Sequence, residues 1–261
     1  MSNHDNDRLP LSGRTALVTG VSRRAGIGLA VVRRLAGLGA EVFLHHYAPH
    51  DAEQPYGADP QGPPVDGHRH LGLDLADPEA PARLMAAARE GAPGGQVDIL
   101  VCNHAQSGHD GTLDRISAAD LDLHWAVDTR SSLLLAQAFA AQYEDGPRPG
   151  AGRVLLLTSG QLLGPMPEEL AYATAKGALA AVTPTLADHL ADRGITVNCV
   201  NPGPVDTGYA SPEAHELVRR RFPAGRWGEP DDPARLIAWL ATDDARWITG
   251  QVISSEGGFR R

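Results

Sequence analysis

Tyr172 and Lys176 have the residue types and the spacing needed to transfer a proton. They lie four apart in AYATAKGAL, residues 171–179, inside a segment whose apolar spacing predicts a helix over 168–193. Residues four apart share one helix face. A lysine ammonium beside a phenol stabilises the phenolate and lowers its pKa. The tyrosine could then exchange a proton with a carbonyl or an alcohol near neutral pH.

Lys176 is the single lysine of the chain, because the rest of its 23 Lys and Arg residues are arginines. Arginine stays protonated and has a planar guanidinium group, whereas lysine has a compact ammonium whose pKa responds to its surroundings. A position that needs lysine is therefore a candidate for chemistry. The alternative is an exposed Tyr–Lys pair without function, since a lysine-poor chain must place its lysine somewhere.

Ser159 ends the segment RVLLLTS, residues 153–159, which is predicted to be a buried strand. Ligands of parallel sheets bind beyond the carboxyl ends of the strands. The Ser159 hydroxyl could therefore hydrogen-bond the reacting oxygen next to Tyr172.

Three glycines, Gly20, Gly26 and Gly28, separate the first predicted strand, RTALVTG (14–20), from a helical segment. Glycine lets a backbone turn sharply and approach a pyrophosphate, and the following helix N-terminus offers free N–H groups to its charge. The position of the cluster, at the first strand–helix junction, favours a dinucleotide site. The alternative is a tight connection that binds no ligand.

Cofactor choice is predicted from the loop and from the end of the second strand. Arg23 and Arg24 lie within the glycine loop and could meet a 2′-phosphate or the pyrophosphate, or could be solvated. The second strand, EVFLHH (41–46), ends in His45 and His46, where an acidic residue would bind the ribose 2′-hydroxyl and repel a 2′-phosphate. NADP(H) is therefore favoured, with NAD(H) as the alternative.

The elements that must position these residues alternate between short strands and longer helices. Strict alternation predicts an α/β fold, a single doubly wound Rossmann-type domain with a parallel sheet of about seven strands and helices on both faces. Residues 1–13 are predicted to be a flexible lead-in and 14–261 the domain, with an irregular surface loop over 47–67. Asp77 is predicted to cap the third helix, with Pro78 at its first position.

Composition excludes several classes of protein. A net charge of −9 over 261 residues argues against a nucleic-acid-binding face. No apolar run is long enough to span a bilayer, and the polar start lacks the core of a signal peptide, so a cytoplasmic location and no membrane partner are expected. No Cys/His cluster has the spacing of a metal site.

Together, TGVSRRAGIG, LDLAD, CNHA, the Ser159–Tyr172–Lys176 spacing and NPGPVDT resemble the short-chain dehydrogenase/reductase family over nearly the whole chain, from about residue 14 to residue 258. The resemblance implies a catalytic Ser159, Tyr172 and Lys176, the last two also touching the cofactor. It further implies cofactor contacts from the glycine loop, from the ends of the second to fourth strands and from the NPG segment: Gly20, Ser22, Arg23, Arg24, Gly26, Ile27, Gly28, His46, Asp74, Leu75, Asn103, His104, Ala105, Pro202, Gly203, Val205 and Thr207.

The end of the chain, from RFPAG to SSEGG, resembles reductases of the 3-oxoacyl-acyl-carrier-protein type. This implies an oxidoreductase that reduces a ketone or oxidises a secondary alcohol, with a small-molecule carbonyl or alcohol as substrate, and an assembly that is a homotetramer or a homodimer. The alternatives are a cofactor-binding sensor or scaffold with impaired catalysis, and a reductase of C=C or C=N bonds.

Three features depart from the family pattern: Asp128, the pair His104 and Ala105, and the loop 47–67 in place of a helix that many relatives have. Asp128, in WAVDTRSS, stands where the family has a catalytic asparagine that holds a water of the proton relay, so an aspartate there either serves the relay or shifts its pKa. His104 stands beside the cofactor in place of a small residue, either as a polar group facing the substrate or, as favoured here, as a packing residue.

Overall fold

The computed structural model describes residues 9–144 and 150–261. Within them, seven strands form one parallel sheet in the order β3-β2-β1-β4-β5-β6-β7, as the alternating pattern predicts. The strands are β1 (Thr15–Val18), β2 (Glu41–His46), β3 (Arg69–Gly72), β4 (Ile99–Cys102), β5 (Gly152–Leu157), β6 (Ile195–Asn201) and β7 (Val252–Ser254).

The sheet buries both of its faces, which is why its central strands are continuous apolar runs. Every residue of β1 and β4 is buried, and Leu17 of β1 lies opposite Phe43 of β2 and Leu100 of β4. The strand order reverses between β1 and β4, which opens a crevice at their carboxyl ends. That crevice is where the predicted glycine loop begins.

Helices cover the two faces. The described helices are α1 (Ile27–Gly37), α2 (Ala48–Glu53), α3 (Ala80–Arg89), α4 (Ala118–His124), α5 (Ser131–Gln142), α6 (Leu170–Ala191), α7 (Pro212–Arg219) and α8 (Asp231–Leu240). One core packs α1 and α8 on the sheet, and the other packs α3, α5 and α6 on the opposite face. No helix within the described ranges is both long enough and apolar enough to cross a bilayer.

The start of the domain differs from the prediction. Residues 1–8 of the predicted lead-in lie outside the described residues. Leu11, however, is completely buried in the core, and its N–H donates to the Leu38 carbonyl at 2.8 Å. The packed domain therefore begins before Arg14.

Two further predictions about helices were wrong. Residues Ala48–Glu53 form α2 instead of an irregular loop, because Pro49 lies in the first turn, where a missing N–H costs nothing. Helix α3 begins at Ala80 instead of Pro78, since the Asp77 carboxylate accepts the Glu79 N–H in a separate turn before the helix.

Candidate active site

The three predicted catalytic side chains meet at the carboxyl ends of β4, β5 and β6. Ser159, Tyr172 and Lys176 line a cavity of about 870 Å³ there. The Ser159 hydroxyl is close enough to the Tyr172 phenol to lower its pKa. A substrate oxygen in this cavity can therefore reach both hydroxyls at once.

Tyr172 is held by a carboxylate that the sequence did not single out. Helix α6 has no side-chain cap from its own N-cap residue, Glu169. Instead the Asp110 carboxylate accepts the backbone N–H groups of Ala171 and Tyr172, both at 2.9 Å. A capping carboxylate accepts hydrogen bonds from the free N–H groups of the first turn, and its negative charge is attracted to the positive end of the helix dipole. Asp110 thus fixes the turn that carries the phenol.

Lys176 is buried, with 2% of its side chain exposed. Its Nζ donates to the Leu157 carbonyl at 3.2 Å and to the His104 carbonyl at 3.5 Å. The Asp128 carboxylate lies 3.9 Å away. The ammonium is therefore fixed between the ends of β4 and β5, and a buried negative charge compensates it.

The sequence predicts a lowered pKa for Tyr172, but in the structure this pKa is raised. Burial raises this pKa most, the negative charges of Asp128 and Glu169 raise it further, and the nearby Ser159 hydroxyl offsets only part of the rise. Lys176 Nζ is 5.7 Å from the centre of the phenol ring, and Asp128 compensates its charge. The phenol is consequently protonated at neutral pH and ready to donate.

Asp128 lies in a π-helical turn, Trp125–Arg130, between α4 and α5, and such turns often mark functional sites. Asp128 is completely buried, and its Oδ1 accepts the Gln106 N–H at 2.8 Å. Its Oδ2 is 3.2 Å from Nδ1 of His124, a residue that the sequence interpretation did not single out, although it precedes Asp128 by one helical spacing.

The glycine loop has no room for side chains. Gly20 has φ +71°, and a Cβ on it would lie 2.7 Å from the His104 Cα. A Cβ on Gly28 would lie 2.6 Å from the Gly20 carbonyl oxygen. Helix α1 begins at Ile27 without a side-chain cap, so its first N–H groups remain available to an anion. The loop has the form of a cradle for a pyrophosphate.

A second cavity, of about 390 Å³, extends from this loop across the ends of β1 to β4. It shares Arg23, Ile27, Asn103, Ala105 and Thr207 with the larger cavity, so the two form one cleft. The predicted cofactor residues found in the smaller cavity are Gly20, Ser22, Arg23, Gly26, Ile27, Asp74, Leu75, Asn103, His104, Ala105 and Thr207, and those in the larger one include Tyr172, Lys176, Pro202, Gly203 and Val205. A long cleft next to a glycine cradle fits a dinucleotide.

Three predicted cofactor residues do not line either cavity. The Arg24 guanidinium is turned away, donating to Asp59 at 2.7 Å and to the Gly62 carbonyl at 2.8 Å. His46 lies 3.1 Å from His70, ring nitrogen to ring nitrogen. Gly28 packs behind the loop instead of facing the cleft. These residues shape or flank the site without facing it.

The segment after β2 contributes residues that the sequence did not predict. His50 Nε2 and the Tyr56 hydroxyl contact the Ser107 hydroxyl at 3.1 and 3.3 Å, and the Arg23 guanidinium lies 4.2 Å from the centre of the Tyr56 ring. Residues 50–56 therefore reach across the cleft to the loop after β4. Helix α2 also brings Asp51 to the cavity, with a pKa that burial raises against the lowering effect of His50 and Arg23.

His104 acts as a packing residue. Its ring is buried and hydrogen-bonds the hydroxyls of Thr19 at 2.6 Å and Ser131 at 2.7 Å. Burial, together with the charges of His45 and Lys176, holds its pKa well below the ordinary value, so the ring is neutral. Its side chain ties β1 to α5, while its main-chain carbonyl accepts from Lys176.

Comparison with known proteins agrees with this geometry. Residues 20–260 match the model of a family described as Enoyl-(Acyl carrier protein) reductase. The chain is 41% identical over 251 residues to an uncharacterized oxidoreductase, YjdA, of Bacillus subtilis, covering 95% of this chain and 97% of the relative. It is 34% identical over 270 residues to an NADPH-dependent aldehyde reductase-like chloroplastic protein of Arabidopsis thaliana, covering 96% of each.

A solved structure of similar shape is that of a blue fluorescent protein from a metagenomic library in complex with NADPH. The TM-score is 0.79 at 30% identity, and the match covers 97% of this chain and 100% of that one. The full-length family match, the relatives and the Ser–Tyr–Lys cavity agree: this chain belongs to the short-chain dehydrogenase/reductase family of oxidoreductases.

Proposed function

We propose that this oxidoreductase uses NADPH to reduce a ketone or related carbonyl compound to the alcohol, with Tyr172 as the proton donor. The observation that carries the proposal is that Ser159, Tyr172 and Lys176 line one cavity, which continues into the glycine cradle. The raised pKa of Tyr172 supports the reductive direction, because reduction needs the protonated phenol.

Each side chain has a defined task. Ser159 donates a hydrogen bond that polarises the carbonyl, and Tyr172 gives its proton to the oxygen as negative charge develops there. Asp110 holds the turn that orients the phenol. Lys176 places a positive charge in the wall of the same cavity, where two main-chain carbonyls hold its Nζ. A nicotinamide bound in the cleft would supply the hydride.

The preference for NADPH over NADH rests on two observations. Arg23 lines both cavities, and an arginine fork suits a phosphate. The Arabidopsis relative is NADPH-dependent by name, and the blue fluorescent protein was solved with NADPH. Asp51 argues for NADH instead, because a carboxylate in the same cavity repels a 2′-phosphate. NADH is therefore the second candidate.

The larger cavity supports a substrate with an anionic or extended tail, such as a 3-oxoacyl thioester. Its wall combines the apolar Met166 and Phe259 with Arg221, while Arg261 in the same wall is already paired with Glu256. Of the three consecutive arginines at 219–221, the first two pair with Glu216, so only Arg221 faces the cavity.

The test is oxidation of NADPH and of NADH with a panel of ketones that includes an acetoacetyl thioester, followed by product analysis. An alcohol product with a higher kcat/KM for NADPH supports the proposal. A saturated C–C or C–N product would assign the site to reduction of double bonds or imines. Cofactor binding without turnover over the whole panel would favour the sensor or scaffold.

We also propose that the chain assembles as a homotetramer or homodimer in the cytoplasm. Leu121 of α4 and Trp125, next to it in the π turn, are both more than 40% exposed, and such a patch favours contact with a second copy. Light scattering of the purified protein decides between one, two and four subunits.

A further inference from the structure

Arg261 lies in the wall of the large cavity, beside the loop that begins at Ser159. A Cβ on Gly160 or on Gly164 would overlap the Arg261 side chain, so this arginine packs directly on the loop. Gly160 is the residue that follows Ser159 in the chain. A group two carbons away from a carbonyl that Ser159 holds is therefore within reach of the Arg261 guanidinium.

Glu256 compensates the charge of that guanidinium. Its Oε1 and Oε2 accept from Nη1 and Nη2 of Arg261 at 3.0 and 2.7 Å. Paired hydrogen bonds between a guanidinium and a carboxylate are both strong and geometrically specific. The hydrogen bond from Arg261 is the largest influence on the pKa of Glu256, which it lowers, so this carboxylate is charged at neutral pH. The cavity wall thus presents an arginine whose positive charge is already matched.

The pair is also held from the side of β6. Asn201, the last residue of β6, donates from Nδ2 to Glu256 Oε2 at 3.2 Å. Gly203 has φ +65°, and a Cβ on it would overlap the Glu256 Cβ, so the backbone packs closely on this side chain. The side chains of Arg261 and Glu256 are 20% and 12% exposed. An anion that approached Arg261 would therefore compete with a carboxylate already fixed in position.

The remaining charges of the cavity make this match important. Among the described residues, the carboxylates in its wall are Asp110, Glu168 and Glu169, and the cations besides Arg261 are Arg23, Lys176 and Arg221. The carboxylates repel a negatively charged substrate, and Asp128 compensates Lys176 at 3.9 Å. Loss of either partner of the Glu256–Arg261 pair would change the charge beside the reacting carbonyl by one full unit.

We propose that the Glu256–Arg261 pair makes the active site select carbonyl compounds that are neutral beside the reacting carbon over the corresponding free keto acids. The proposal rests on the function proposed above and narrows its substrate class. A 3-oxoacyl thioester is uncharged at its thioester carbonyl, whereas a free 3-oxo acid has a carboxylate at the same position. Arg261 is the residue that meets the substrate, and Glu256 is a positioning residue that acts through it.

The test compares acetoacetate with acetoacetamide, which have nearly the same shape and differ by one negative charge. Wild type should have the higher kcat/KM for acetoacetamide. Glu256→Gln leaves Arg261 uncompensated, so the ratio of kcat/KM for acetoacetate to that for acetoacetamide should rise about fivefold, the effect of one charge contact at about 4 Å in water. Arg261→Gln leaves the Glu256 carboxylate uncompensated, so the same ratio should fall by a similar factor.

Two further variants separate charge from damage to the fold. The double variant Glu256→Gln with Arg261→Gln removes both charges, so its ratio should return to within about twofold of wild type, whereas structural damage would accumulate. Arg260→Gln is the matched control, because Arg260 is an exposed neighbour that does not line either cavity, and it should leave the ratio unchanged. An unchanged ratio in both single variants, or shifts of the same sign in both, overturns the proposal even if the protein is a carbonyl reductase.

A second measurement needs no turnover. Binding of acetoacetate and of acetoacetamide to the protein saturated with NADP⁺ can be followed by ligand-observed NMR. The ratio of their dissociation constants should shift in opposite directions in Glu256→Gln and Arg261→Gln. These shifts without reduction of either compound would support the selection by charge and overturn the proposed carbonyl reduction. Ratios that do not shift, or binding of neither compound to any of the proteins, would overturn the selection by charge whatever the turnover.

Discussion

Replacing Gly28 with alanine should displace the glycine loop and weaken binding of NADPH. The new Cβ would lie 2.6 Å from the Gly20 carbonyl oxygen and 2.9 Å from the Asn103 amide nitrogen. Real Cβ atoms do not approach backbone so closely, so the loop between β1 and α1 must move. The matched control is Gly37→Ala at the other end of α1, where an added Cβ meets nothing within 4 Å.

The size of the effect follows from the cost of overpacking. Forcing extra carbon into a packed site costs about 1–3 kcal/mol. If that cost falls on the ligand-binding form of the loop, the NADPH dissociation constant rises roughly 5- to 150-fold, since about 1.4 kcal/mol is a factor of ten. Gly37→Ala should instead leave affinity unchanged and stabilise the helix by up to about 1 kcal/mol.

Calorimetric titration with NADPH and thermal unfolding of the three proteins measure both quantities. Equal NADPH affinity in Gly28→Ala and wild type would refute the assignment of this loop as the pyrophosphate cradle. Equal weakening in Gly28→Ala and Gly37→Ala would show that α1, and not the close approach at Gly20, determines affinity.

Three further predictions concern charge and capping. Burial lowers the pKa of His45 to about 4. The free energy of unfolding that depends on neutral His45 is therefore complete above about pH 6.5 and falls by about 3 kcal/mol as the pH drops toward 4. Thermal unfolding against pH should show this loss in wild type and a smaller loss in His45→Gln. Asp110→Ala removes the cap of α6 and should lower Tm by roughly 2–4 °C. It should also lower kcat without changing NADPH affinity, because Asp110 orients the turn that carries Tyr172. An unchanged kcat would disprove this positioning role. Glu169→Gln removes a negative charge that raises the pKa of Tyr172, so the alkaline limb of kcat for reduction should move to lower pH, whereas a limb that stays in place would show that Glu169 does not act on the phenol.

The sheet could be predicted because its signals are local. β2 spans residues 41–46 in the structure as in the prediction, since an apolar run is bounded there by a glycine turn and by His46. Burial on both faces gives each central strand a short apolar run with a clear end. Helix α2 was missed because a single turn that contains a proline has no periodicity to detect.

The site could be predicted where sequence spacing fixes geometry, as between Tyr172 and Lys176. It could not be predicted where a partner comes from a distant segment. Asp110 accepts the Tyr172 N–H from 62 residues away in the sequence. The Arg24 guanidinium points away from the cleft because it donates to Asp59, 35 residues later in the sequence. The pKa of Tyr172 was misjudged for the same reason, since the burial of the phenol, and after it the charges of Asp128 and Glu169, arise only in the folded chain.

In the proposed reaction, the Tyr172 hydroxyl donates the proton to a carbonyl that NADPH reduces. The most direct test is to measure NADPH affinity and steady-state carbonyl reduction in the same preparation of Tyr172→Phe, which lacks one oxygen. We expect NADPH affinity within about twofold of wild type and a kcat at least a hundredfold lower, as for loss of a general acid. Carbonyl reduction at a rate comparable to wild type would contradict it.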